Sequence, residues 1–137
     1  MRALLAAGLV AALAAPAACG SESEGTTGGE AGATETDLRI TVWPQGPSGP
    51  SRSWTLRCGP AGGTLPNARR ACTALSRLDA PFRPVPRDAM CTQQYGGPQE
   101  ALVRGTYRGR RVWARFHRRD GCHIARWDRV RFLFPAR

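Results

Sequence analysis

Cysteine placement constrains this chain more than any other feature of its sequence. Five cysteines stand at positions 19, 58, 72, 91 and 122, and no two are spaced as a CxxC pair. That spacing disfavours a zinc site, even with His117 and His123 available, so no metal and no cofactor are expected. An odd cysteine count in an exported protein leaves one residue over. Cys19 stands apart from the rest, at the end of an apolar stretch. The other four lie in the last hundred residues, where they can close two disulfides outside the cell. A domain of that length buries a single modest core, and two bridges contribute substantially to holding it.

The segment before Cys19 reads as a signal peptide over residues 1–18. Met1-Arg2 is a basic start, and Ala3 to Ala18 is uncharged, apolar and short for a membrane span. Pro16-Ala17-Ala18 before Cys19, with Gly20-Ser21 after it, resembles a bacterial lipobox, with Pro16 where Leu is usual. Lipidation of Cys19 is therefore expected, with the chain secreted or held on the outer face of the cell membrane. Residues 19–37 carry Glu22, Glu24, Glu30, Glu35 and Asp37 with no basic residue, among many Gly, Ser and Thr. This composition is that of a solvated tether, spanning roughly 23 Å on average as a flexible coil. Residues 38–137 hold nineteen arginines against five acids, a net charge of +14, and the chain has no lysine.

Leu38-Arg39-Ile40-Thr41-Val42-Trp43 and Ser53-Trp54-Thr55-Leu56-Arg57-Cys58 alternate apolar and polar with period two, and read as two antiparallel strands. Between them, Gly46, Pro47, Gly49 and Pro50 mark a loop. Pro66 to Leu78 reads as a helix, with Pro66 in the first turn and Ala68, Ala71, Cys72, Leu75 and Leu78 on one stripe. Cys72 on that stripe is placed to reach back to Cys58. Pro81, Pro84 and Pro86 rule out regular structure before Asp88. Residues 101–107 and 111–116 flank Arg108-Gly109-Arg110 as a hairpin, with Gly105 a candidate bulge. Ile124 to Asp128 reads as a short helix, and Arg131-Phe132-Leu133-Phe134 as a closing strand. The sum is an α+β domain over residues 38–137: about five antiparallel strands with two helices on one side, and two disulfides.

Several stretches together resemble the Streptomyces subtilisin inhibitor family. They are Leu56-Arg57-Cys58-Gly59-Pro60-Ala61-Gly62-Gly63-Thr64, Ala71-Cys72, Phe82-Arg83-Pro84-Val85-Pro86, Met90 to Gln99, Gly105 to Gly109, and Asp120 to Asp128. The resemblance runs in order across the whole of 38–137. It implies the pairings Cys58–Cys72 and Cys91–Cys122, a five-stranded sheet with two helices, usually a homodimer, and inhibition of subtilisin-like serine proteases. It places the scissile bond at Gln93–Gln94. Met90, Cys91 and Thr92 would then precede the P1 residue Gln93, and Gln94 and Tyr95 would lie on the primed side. Family members often carry Met or Lys where this chain has Gln93, and a proline where it has Thr92.

The residues suit that role. A loop held rigid before binding loses little ordering entropy on association. A bridge from Cys91 to Cys122 ties the loop two residues before the bond. Pro84, Pro86 and Pro98 fix φ on the approaches. Met90 is apolar in a polar segment, and an unbranched thioether adapts to the apolar S4 pocket of subtilisin-like enzymes. No GxSxG, HExxH or GxxxxGK motif is present, so the chain is not expected to be an enzyme. His117 and His123 read as surface histidines. Two other readings compete. Arg104, Arg108, Arg110, Arg111, Arg115, Arg118 and Arg119, interleaved with Tyr107, Trp113 and Phe116, have the composition of a surface for anionic polymer, either wall polymer or nucleic acid. Strand alternation favours those aromatics pointing inward, and no specific nucleic acid is expected as a partner. Adjacent Gln93-Gln94 would also serve a transglutaminase as acyl donors.

Overall fold

The computed structural model describes residues 35–136, so the leader, Cys19 and most of the acidic segment lie outside the described residues. Four strands form one antiparallel sheet: β1 (Thr36–Trp43), β2 (Arg52–Cys58), β3 (Glu100–Tyr107) and β4 (Arg110–His117), in the order β2-β1-β3-β4. β1 starts two residues before the expected position, because Thr36 is buried and Asp37 exposed, which extends the alternation backwards. Two helices follow the sequence reading closely. α1 spans Ala68–Ser76, just inside Pro66, and α2 spans Gly121–Val130, longer than the expected five residues.

One face of the sheet carries the core. Leu38, Ile40 and Val42 of β1, Leu56 of β2, Ala101 and Val103 of β3, and Ala114 and Phe116 of β4 are buried there. Ala71 and Leu75 of α1 and Trp127 and Val130 of α2 cover them in one cluster, so both helices lie on that side. The opposite face is open. Cys58–Cys72 ties α1 to the end of β2, as the helical stripe suggested, with Cα atoms 5.7 Å apart. The loop it closes corresponds to about 3 kcal/mol in the chain-entropy account.

Two expectations fail. The expected fifth strand is absent from the described residues: Arg131–Leu133 is a 3₁₀ turn that continues α2. Phe132-Leu133-Phe134 is an unbroken apolar run, and a strand would turn alternate members to solvent. As a turn it buries both Leu133 and Phe134, with the Phe134 ring 5.2 Å from Phe116 and 4.4 Å from Trp127. Gly105 makes no bulge, since the pairing of β3 with both neighbours runs through it in register. Its φ is +134°, and a Cβ there would overlap the carbonyl oxygen of Asp37, so glycine is needed for close strand approach. The hairpin turn itself has φ of +49° at Arg108 and +73° at Gly109, the conformation of a tight two-residue connection.

The sheet has two distinct ends. At one, Thr36 stands opposite Cys58 and Tyr107, beside the hairpin turn. At the other, Trp43 stands opposite Glu100, and Glu100 opposite His117. The irregular segment between α1 and β3 delivers the chain to this second end.

Candidate functional site

Residues 89–97 have no regular secondary structure and bulge from the second end of the sheet. Met90 is 98% exposed, Tyr95 is 68% exposed, and Thr92, Gln93 and Gln94 are exposed between them. Cys91 alone of the sequence-named loop residues is half-buried, because it is bonded to Cys122 in α2. Asp120 lies close to the two sulfurs, but their bond to each other leaves neither free to ligate a metal.

The loop is anchored on both sides of Gln93–Gln94. On the amino side, the N–H of Gly121 donates to the carbonyl of Thr92 at 2.9 Å, next to the disulfide. On the carboxyl side, the N–H of Gly96 donates to the carbonyl of Arg118 at 2.7 Å. Both anchors belong to the corner between β4 and α2. Gly96 suits its place because a Cβ there would lie 2.8 Å from Cδ1 and 2.9 Å from Cγ1 of Ile124. The exit is strapped as well. Arg118 donates to Oε1 of Gln99 at 3.3 Å, and Arg119 pairs with the buried carboxylate of Glu100, the first residue of β3.

The corner is itself organised. Asp120 caps α2, its side chain accepting from the N–H of His123 at 3.0 Å, and its other oxygen lies 2.7 Å from Nδ1 of His123. These bonds, the backbone one foremost, lower the Asp120 carboxyl below its ordinary value. His117 stacks on His123 with ring centroids 3.9 Å apart, and its Nδ1 accepts from the N–H of Arg119 at 3.3 Å. Burial, then the neighbouring His123 and Arg119, lower the His117 imidazole. The two histidines, expected as separate surface groups, are thus a half-buried pair that braces the corner. Neither histidine is bonded to a nucleophile among the described residues.

Arg126 secures the approach to the loop, a role that the sequence reading missed. Its guanidinium lies 3.9 Å above the Phe116 ring and donates to the carbonyls of Phe82, Arg83 and Arg115 at 3.4, 2.8 and 2.5 Å. Burial lowers its pKa from the ordinary arginine value. An arginine in α2 four residues after Cys122 was the available signal, but only tertiary contact shows what it holds. Of the hairpin aromatics, Phe116 is buried and Tyr107 donates its hydroxyl to the carbonyl of Leu75 at 3.0 Å, while Trp113 faces solvent.

The arrangement has the parts for presentation: exposed Gln93 and Gln94, fixed on both flanks, with the apolar Met90 side chain standing free three residues before Gln93. A family model described as subtilisin inhibitor-like matches residues 34–118. The match ends before α2, which supplies Cys122 and Arg126. No curated protein matches the chain in sequence comparison. Among solved structures, a chain from the crystal structure of Streptomyces caespitosus sermetstatin in complex with Bacillus licheniformis subtilisin is similar at 25% identity. The match covers 73% of this chain and 97% of that one, with a TM-score of 0.48.

Proposed function

This chain belongs to the subtilisin inhibitor-like family, whose members are protease inhibitors and not enzymes, and on that premise we propose that residues 90–95 are its protease-binding loop. Gln93–Gln94 is the bond offered, and Gln93 occupies the S1 pocket. Met90 enters an apolar S4 pocket, and Gln94 and Tyr95 lie on the primed side. The observation that carries this reading is the pair of backbone anchors, Thr92 to Gly121 and Gly96 to Arg118, that flank this one bond. A protease closing on a loop already held on both sides meets little entropic opposition.

The reading extends to location and assembly. With the other four cysteines paired, Cys19 is the residue left for lipid, and two disulfides suit an oxidising, extracellular setting. A homodimer is the assembly that membership of this family implies. Mass spectrometry of the mature N-terminus and sedimentation test these two points.

Titration of subtilisin with the protein is the decisive test. Stoichiometric, reversible loss of activity with slow cleavage confined to Gln93–Gln94 is expected. Unchanged subtilisin activity with both the parent protein and a Gln93→Met variant at micromolar concentration would overturn the proposal.

A further inference from the structure

We propose that the open face of the sheet is a binding surface for single-stranded nucleic acid. The register sets Arg39 of β1 directly opposite Arg104 of β3, and Arg104 directly opposite Trp113 of β4. Like charges placed directly across a sheet are destabilising. None of Arg39, Arg104, Arg111 and Arg115 is within ion-pair distance of a carboxylate among the described residues. Glu35 and Asp37 border these arginines without pairing with them, the face keeps a net positive charge, and an anion laid along it would lessen the remaining repulsion.

Trp113 identifies the kind of anion. It is 66% exposed, flanked in its own strand by Arg111 and Arg115, which point the same way. An indole ring lying open among guanidinium groups is a stacking platform with its phosphate partners already in place. The other aromatics of the hairpin are turned inward, so this ring is not one of a core set. Arg39, Arg104, Arg111 and Trp113, together with the acids Glu35 and Asp37, line an open depression of about 600 Å³, room for a base beside the ring with the phosphates on the arginine side. Single strands offer unstacked bases to such a ring, whereas a duplex hides them. A second copy of the chain is a poor occupant, because a pairing of two such faces would press arginine on arginine. Charge along the sheet, combined with one exposed ring, implies binding that tolerates any sequence.

Fluorescence anisotropy of a labelled oligothymidylate about sixteen nucleotides long, titrated with the secreted chain across a salt series, tests this. Four arginine contacts to a single strand predict a log–log salt slope near about −3. Trp113→Ala is expected to weaken binding about tenfold with the slope unchanged, and Trp113→Phe to retain most of it. Arg39→Gln with Arg104→Gln is expected to flatten the slope by about 1.4. Thermal melting of each variant separates lost binding from lost fold. The proposal is overturned if oligothymidylate does not bind at low salt. It is equally overturned if polyphosphate competes as well as oligothymidylate while Trp113→Ala binds unchanged, which would mark a bare charged surface. Sedimentation showing copies paired through this face, with Arg39→Gln strengthening the pairing, would also overturn it.

Discussion

Arg126 makes the widest set of contacts of any single side chain near the loop. It joins α2 to β4 and to the segment leading into the loop by three backbone carbonyls, and rests on Phe116. Arg126→Ala is expected to cost about 1.5–3 kcal/mol in urea unfolding, since three backbone carbonyls lose a charged donor. Arg126→Lys should recover only part, because an ammonium cannot fork across three acceptors. At the same scale, acid should loosen the corner under the loop. His117 has a folded pKa lowered below its ordinary 6.5, so its contribution is complete above that value and is lost as pH falls below it. Asp120 is lowered below 3.8, so its contribution is lost as pH falls through the more acidic range. The melting temperature should therefore begin to fall below neutrality, and His117→Gln should remove that first decline. Gln93, Gln94 and Met90 could be proposed as a site from the sequence, because the resemblance ran through contiguous residues, and the structure places all three in an exposed stretch. The partners of Arg126 were not, since Phe82, Arg83 and Arg115 are far from it along the chain and near only in the fold.

The corner between β4 and α2 determines how firmly the loop is held. Gly96→Ala would push against Ile124 and pull the carboxyl side of the loop from the carbonyl of Arg118. Loss of that bond, about 1 kcal/mol, predicts roughly fivefold weaker inhibition of subtilisin, with faster cleavage at Gln93–Gln94. Peptide mapping of the complex over time would show it, and a melting curve close to that of the parent would confine the effect to the loop. The strands were readable in advance because β1, β2 and the hairpin alternate apolar and polar residues, and one buried face imposes that period on them. Phe132-Leu133-Phe134 has no period to read. Helix, turn and strand each bury part of such a run, and the choice fell to the hollow between Phe116 and Trp127 that Phe134 fills.

At the scale of the whole molecule, two disulfides hold opposite ends of a small core. Cys91–Cys122 has a sequence separation of 31 residues, which in the chain-entropy account is worth about 3.5–4 kcal/mol. The double variant Cys91→Ala with Cys122→Ala should lose stability of that order in chemical unfolding. It should also be consumed by subtilisin as an ordinary substrate, since only hydrogen bonds would then hold the amino side of the loop. The sequence showed four cysteines fit for two bridges and put Cys72 on a stripe that could reach Cys58, but the full pairing came only through the resemblance, because connectivity is set by the fold. The two ends of the sheet carry a last implication. The N-terminal segment enters at Thr36, beside the hairpin turn, whereas the loop emerges at the end marked by Trp43 and Glu100. β1 alone, from Thr36 to Trp43, separates these ends by about 23 Å. Were the chain held to a support by its N-terminus, the attachment and the loop would lie at opposite ends of the sheet, and the attachment would leave the loop accessible.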